Sequence, residues 1–144
     1  MVAREDGPDG GPGWLISVAD PQSLELDLCW LRLQNQAIAT STTMRRRWQR
    51  DNRWLHHIID PRTGAPARDD VSQVTVVAPT AVEADVSAKT ALIMGRETSL
   101  AWLTQHGMPA LIVTRDDNNL ATPHWLRVET PTRAGWEEDT IGCA

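Results

Sequence analysis

Apolar and polar residues alternate along residues 24–33, as they do in a strand with one buried face. The apolar positions are Leu24, Leu26, Leu28 and Trp30, and the intervening ones are Glu25, Asp27 and Cys29. The phase of this alternation slips at Trp30 and Leu31, where we predict a β-bulge. The pattern therefore predicts a half-buried strand.

Further strands are predicted where short apolar runs end at proline, glycine or polar turns. These runs cover 14–20, 53–60, 71–79 (the clearest) and 109–114, with 124–128 as a last edge strand. The segment 35–41 either continues the preceding strand or pairs with it, and 115–119 is predicted to be a turn.

Two helices are predicted between these strands. Thr80 and Glu83 have the spacing of a capping box, and Gly95 suits the end of the helix that they begin. A second, short helix over 97–106 should stop at Gly107. This order of elements predicts an α+β fold, with a mixed or antiparallel sheet packed against two helices.

The distribution of apolar residues also predicts the extent of the folded domain. Residues 1–13 consist of glycine, proline and charged residues with few apolar ones, and we expect a flexible lead there. Residues 14–128 are expected to form the folded domain, and 129–144 a poorly patterned tail.

Composition narrows the class of protein. The chain has 144 residues, of which 41% are hydrophobic, enough for one compact domain. Its net charge of -5 argues against a nucleic-acid-binding protein, because phosphate contacts need a basic face. No apolar run approaches the roughly 20 residues of a membrane helix. With two cysteines outside any metal motif, we expect a reduced, cytoplasmic protein without a membrane span.

The segment RWLHHIIDPRTG (53–64) is rich in polar groups that could carry chemistry. In an extended strand, His56 and His57 point to opposite faces, so only one can face a given site. Two interpretations remain open. One histidine is a hydrogen-bonded core residue and the other faces solvent, or one is a general base beside the turn. Asp60 could orient that base only if the turn redirects its side chain.

Two other polar clusters have alternative interpretations. Asp85 and Lys89 share one helix face, either as a surface ion pair or with Asp85 as an oxygen ligand for Mg²⁺. The hydroxyls of residues 40–43 precede the arginines of 45–47. Hydroxyl and guanidinium groups together suit the oxygens of a phosphate, whereas a charged run is otherwise a solvated edge.

The order of these segments resembles the ApbE family, the FAD:protein FMN transferases. The resemblance lies in AIATSTTMRRRW (37–48), HHIIDPRTGAP (56–66) and VTVVAPTAVEADVSAKTALIMG (74–95). It extends over roughly residues 14–114, and HHIIDPRTG is its most specific part.

The resemblance implies a T-fold-like half-domain, truncated at its N-terminal side, whose exposed strand edges favour association with a second chain. It implies transfer of FMN from FAD to a Thr or Ser hydroxyl of an acceptor protein, with Mg²⁺ as cofactor and AMP as the leaving group. The alternative is an inactive remnant, or a partner-binding subunit without catalysis.

The resemblance also implies roles for individual residues. His57 matches the catalytic base, and Asp85 and Thr90 are assigned to the metal. Flavin binding is assigned to Thr40, Ser41, Asp60, Thr63 and Gly64. The imidazole of His57 and the carboxylate of Asp85 are expected to converge on one pocket.

Two positions depart from the family pattern. Lys89 stands where the family has a metal-binding threonine, and Thr90 is rotated by about 100° beyond that position. The ammonium group of Lys89 would either compete with Mg²⁺ or replace it as the charge that neutralises the phosphate. Thr42 replaces a glycine, and its side chain could obstruct a closely bound flavin.

Overall fold

The computed structural model describes residues 1–3, 7, 10–23 and 25–128. The strands in this part of the chain are β1 (Val2–Ala3), β2 (Trp14–Ala19), β3 (Asp27–Leu33), β4 (Gln36–Thr42), β5 (Arg47–Arg50), β6 (Arg53–His56), β7 (Val71–Ala78), β8 (Ala110–Thr114) and β9 (Asn119–Ala121). The helices are α1 (Ala81–Met94) and α2 (Arg96–Gln105), and a 3-10 turn covers Trp125–Arg127.

A five-stranded antiparallel sheet forms the centre of the fold, in the order β1–β4–β7–β8–β9. The middle strand is β7, with Ala37 of β4 opposite Ala78 and Ala110 of β8 opposite Val76. Every residue of β7 is buried. Its run of apolar and β-branched residues is typical of a strand covered on both faces.

The two helices pack against one face of this sheet. Val74 and Val76 of β7 lie in one buried cluster with Ala88 and Leu92 of α1 and Leu103 of α2. Full burial of a side chain such as Leu92 stabilises the fold by about 1.5–3 kcal/mol relative to its exposure.

The first turns of α1 approach the sheet through small side chains. Ala84 packs against Ala37 and Ala78 at the end of the sheet where β7 leads into the helix.

The hairpin of β2 and β3 covers the opposite face. Leu31 and Leu33 pack there with Val77 of β7 and with Trp125, and all four are buried. The sheet therefore has apolar cover on both sides. Antiparallel strands packed with two helices confirm the predicted α+β class.

The buried face of β3 is the opposite of the one that the alternation predicts. Cys29, Leu31 and Leu33 are buried, whereas Leu26 is 60% exposed and Trp30 is 37% exposed. The prediction is wrong because both faces of this segment carry large apolar side chains. Packing against the sheet decides between them, and local alternation cannot.

The predicted bulge also lies elsewhere. The β2–β3 register shifts between Val18 and Ala19, at the far end of the hairpin from Leu33. The segment 35–41 corresponds to β4, which pairs with β1 and β7 and not with β3.

The boundaries of the helices confirm the capping prediction. The Thr80 hydroxyl accepts a hydrogen bond from the Glu83 backbone N–H at 3.2 Å and lies 2.9 Å from Glu83 Oε2. Helix α1 ends before Gly95, whose φ is 81°, and α2 ends before Gly107. Within the described ranges, neither helix is long and apolar enough to cross a membrane.

Both ends of the described chain differ from expectation. The predicted edge strand 124–128 is instead the 3-10 turn, which places Trp125 in the core at 1% exposure. The predicted turn 115–119 is confirmed at residues 115–117, and β9 begins at its last residue, Asn119.

At the other end, the predicted flexible lead contains β1, and the Met1 ammonium group donates a hydrogen bond to the Ile38 carbonyl at 2.8 Å. The predicted tail, 129–144, lies outside the described residues.

Candidate functional site

The two adjacent histidines face opposite ways, as the strand geometry predicts. The strand β6 ends at His56, which is 5% exposed, while His57 just beyond it is exposed. His56 Nε2 lies 3.2 Å from the Ala67 carbonyl oxygen, which can only accept, so Nε2 carries a proton. His56 is therefore a structural residue, and His57 is the histidine that a substrate can reach.

The carboxylate of Asp60 is held by Arg62. It accepts hydrogen bonds from the Arg62 backbone N–H at 2.9 Å, from Nε at 3.0 Å and from Nη2 at 2.8 Å. The side-chain hydrogen bonds, followed by the backbone one, lower the pKa of Asp60 below its ordinary value. Asp60 is therefore ionised at neutral pH. Its described hydrogen bonds go to Arg62 and to the turn, and none goes to His57.

Thr63 and Gly64 close the turn that Asp60 begins. Their backbone N–H groups donate to the Asp60 carbonyl at 3.2 and 2.8 Å, and the Asp60 N–H donates to the Ala65 carbonyl at 2.9 Å. Gly64 has a φ of 68°, which glycine adopts without a Cβ penalty. A Cβ at Gly64 would meet no atom within 4 Å, so this side of the turn is open to a ligand.

Thr40 and Ser41 lie on opposite faces of β4. Thr40 pairs with Thr75, and their hydroxyl oxygens are 2.9 Å apart. Ser41 is opposite Val74 and is buried. Val74 packs in one cluster with Ile58, the residue after His57, so Ser41 lies on the face of the sheet that this segment contacts. Thr40 lies on the other face.

Thr42, where the family pattern has glycine, is anchored to the neighbouring strand. Its hydroxyl donates to the Ser72 carbonyl at 2.8 Å and accepts from the Met44 N–H at 3.1 Å. These bonds hold the Thr42 side chain against β7. The Thr42 hydroxyl therefore fixes the start of the following loop, whereas a glycine at this position would have no side chain to do so.

Asp85 and Thr90 do not form a site that fits Mg²⁺. The Asp85 carboxylate is 3.0 Å from the Lys89 ammonium, and both groups are about half exposed. Five helical positions rotate Thr90 by roughly 140° from Asp85, whereas Mg²⁺ requires converging oxygen ligands. In the described residues, no group of three or more His, Cys, Asp or Glu side chains could hold a metal ion.

The arginines of residues 45–47 lead into a separate hairpin, β5–β6. The guanidinium of Arg47 lies 4.7 Å from the centre of the Trp54 ring, in a cation–π contact. Arg45 and Arg46 are exposed, as are Trp48 and Trp54. This arrangement is a solvated basic edge that also presents two large rings.

Sequence reasoning missed Arg62. A signal was present, because aspartate before proline favours a turn in which its side chain accepts from the backbone N–H two residues later. That N–H belongs to Arg62, and the same local geometry brings its guanidinium to the Asp60 carboxylate.

The structure brings only some of the predicted residues together. Asp60, Thr63 and Gly64 form one turn that follows His57 along the chain. Among the described contacts, none joins His57 to Asp85, which pairs with Lys89.

Comparisons with known proteins identify the family. The sequence pattern that defines the ApbE family matches residues 1–112. Two similar proteins, each named FAD:protein FMN transferase, come from Escherichia coli K12 (28% identical, 81% of this chain and 33% of that protein) and Treponema pallidum (33% identical, 72% and 29%). The chain thus spans about a third of the length of these curated relatives.

Solved structures give the same result. The ApbE protein of Thermotoga maritima superposes with a TM-score of 0.77 at 29% identity, over 88% of this chain and 41% of that one. The flavinyl transferase ApbE of Pseudomonas stutzeri, in its apo form, gives a TM-score of 0.72 at 26% identity, over 87% and 39%. The match over residues 1–112, together with this structural likeness, shows that the chain belongs to the ApbE family.

Proposed function

We propose that this chain carries the base-and-turn part of a flavin transferase site, within residues 14–128, and acts in the cytoplasm. The reaction is transfer of FMN from FAD to a Thr or Ser hydroxyl of an acceptor protein. Support comes from family membership and from relatives named for this activity. The observation that carries the proposal is the exposed His57 beside the closed turn from Asp60 to Gly64.

The chemistry is a phosphoryl transfer. The acceptor oxygen attacks the phosphorus of the FMN half, a new P–O bond forms, and the P–O bond to AMP breaks, so that AMP leaves with the electron pair. The hydroxyl proton must be removed as the new bond forms. The imidazole of His57 is proposed to accept it, because this ring is exposed while that of His56 is buried and bonded to Ala67.

The turn is proposed to shape one side of the flavin site. Its open side at Gly64 allows close approach of a planar ring, and the Arg62–Asp60 pair keeps its backbone in one conformation. Ser41 lies on the same face of the sheet as this segment. Thr40, which lies on the other face, is the least supported of the proposed flavin contacts.

Two further parts of the proposal concern the metal and the partner. Because Asp85 and Thr90 do not fit Mg²⁺, we assign no catalytic step to a metal at these residues. Among the described strands, β1 and β9 stand at the edges of the five-stranded sheet, and a second chain is proposed to pair with one of them.

The test is flavin transfer by the purified chain. The chain is incubated with FAD, Mg²⁺ and a threonine-containing acceptor peptide, and the peptide is examined by mass spectrometry for covalently bound FMN. We expect His57→Ala to lower the transfer rate by about 100-fold or more, as for loss of a general base, with little change in FAD binding.

His106→Ala is the matched control. His106 is also an exposed histidine, but it lies at the end of α2, so this variant should transfer FMN at the original rate. Equal transfer by His57→Ala would remove the base assignment. Saturable FAD binding without any transfer would favour the partner-binding alternative. The absence of both FAD binding and FMN transfer would overturn the proposed function.

A further inference from the structure

A second polar site lies at the end of the sheet away from the Asp60 turn. It is an open cleft of about 570 Å³. Three parts of the fold surround it, namely the β3–β4 connection, the loop from α2 to β8 and the 3-10 turn. The residues that line it with polar side chains are Arg32, Gln34, Gln36, His124 and Arg127.

The lining is basic in a protein that is acidic as a whole. The chain carries a net charge of -5, yet the described lining of the cleft contains two arginines, one histidine and two carboxamides, and no carboxylate. Guanidinium and amide N–H groups are the donors that oxyanions require, and the Arg32 guanidinium also donates from Nη1 to the Gly13 carbonyl at 3.5 Å.

One buried nitrogen of a residue that lines the cleft lacks a partner. The Nδ1 atom of His124 is buried and has no hydrogen-bond partner in the described part of the chain. The ring of His124 also lies close to Gly107, where a Cβ would be 3.8 Å from its Nε2 atom. Buried polar atoms are normally paired, so an unpaired histidine nitrogen at a basic cleft points to a group that the described residues do not supply.

The cleft is separate from the proposed flavin turn. Gln36 begins β4 and Thr42 ends it, so the two ends are about 20 Å apart along the strand. Thr43, beyond the Thr42 end, bonds to Val71, where the chain arrives from the Asp60 turn.

We propose that Arg32, His124 and Arg127, with the amides of Gln34 and Gln36, bind an oxyanion. The ligand chemistry is that of a phosphate group or a cluster of carboxylates. It has two sources: a free phosphorylated molecule, or the acidic residues of the chain itself, which carries Glu137, Glu138 and Asp139 beyond the described part. The proposal stands independently of flavin transfer.

The experiment is a calorimetric titration of the full chain with pyrophosphate at low salt. His124 ring resonances are followed by NMR to locate the binding. We expect saturable binding to one site and a shift of those resonances. Arg127→Gln should weaken binding by about tenfold or more, the usual effect of losing a hydrogen bond to a charged group. Arg68→Gln, an exposed arginine outside the cleft, is the matched control and should leave binding unchanged.

A triple variant, Glu137→Gln with Glu138→Gln and Asp139→Asn, distinguishes the two sources. Binding by the original chain supports the site with a free anion as its ligand. Binding that appears only in the triple variant supports the site with the chain's own carboxylates as its occupant. Binding by neither chain, or binding that survives both Arg127→Gln and Arg32→Gln, overturns the proposal.

Discussion

The guanidinium group of Arg62 binds the Asp60 carboxylate from two residues away, with Nε and Nη2 each donating to a different oxygen. The arginine side chain is 72% exposed and the aspartate side chain 12% exposed. The ion pair therefore adds little to the free energy of folding, because water screens the exposed guanidinium group. Its main effect is to fix the conformation of the turn. It fixes the direction of the chain between His57 and β7, where the proposed chemistry takes place.

Loss of the arginine should change the response of this pair to acid. The pKa of Asp60 is lowered in the folded state. Its contribution to stability is therefore fully present above the unfolded pKa and is lost as the pH falls through the folded pKa. In Arg62→Gln the Asp60 pKa should rise, and the loss of stability in acid should become smaller. NMR titration of the carboxyl carbon and urea unfolding at neutral and acid pH measure the two effects.

Arg68→Gln is the control for this titration, since that exposed arginine lies outside the turn. An Asp60 titration midpoint that is the same in the original protein and in Arg62→Gln would contradict the assigned cause.

The two faces of β3 should differ sharply in their tolerance of truncation. Leu31 is fully buried, so Leu31→Ala should reduce the free energy of unfolding by about 2–5 kcal/mol. Leu26 lies just before β3, on the face that alternation predicts to be buried, and it is 60% exposed. Leu26→Ala should change the free energy of unfolding by no more than about 0.5 kcal/mol. Urea unfolding of both variants decides between the faces, and a larger loss in Leu26→Ala would restore the face predicted from alternation.

Asp70 and Gly95 should be coupled at the start of α2. Asp70 Oδ2 accepts from the Arg96 N–H at 3.1 Å, as a helix-capping side chain does, and Asp70→Ala should cost about 1 kcal/mol of stability. Gly95→Ala should cost about 1–3 kcal/mol, because its backbone (φ 81°, ψ 172°) is essentially restricted to glycine. An added Cβ would also lie 3.0 Å from Asp70 Oδ2.

A double-mutant cycle measured by urea unfolding tests this coupling, since removal of the Asp70 side chain relieves the contact and the two costs should not add. Additive costs would show that backbone strain alone explains the glycine. Asp69→Ala is the control, because its ion pair with Arg115 is long at 3.6 Å and exposed, and little change is expected.

Local signals predicted those parts of the fold that depend on neighbouring residues. The limits of α1 follow from Thr80 and Glu83 at its start and from Gly95 at its end, and each of these residues acts within one turn of its own end of the helix. The opposite faces of His56 and His57 follow in the same way from the pleat of a strand.

Relationships between distant segments could not be predicted in this way. The face of β3 depends on what packs against Leu31, and the form of 124–128 depends on a core position for Trp125. The expected meeting of His57 with Asp85 is also a relationship between distant segments, and it stays a prediction. The described ion pair of the Asp85 carboxylate is with Lys89, a neighbour on the same helix.

The complete enclosure of β7 separates the molecule into parts that open on different timescales. Its amide protons are paired on both edges and shielded on both sides, so their exchange with deuterium requires unfolding of the whole domain. Among the described strands, β5 and β6 pair only with each other, so their amides can exchange through local opening. The arginines and tryptophans on that hairpin can therefore change conformation while the five-stranded sheet stays intact.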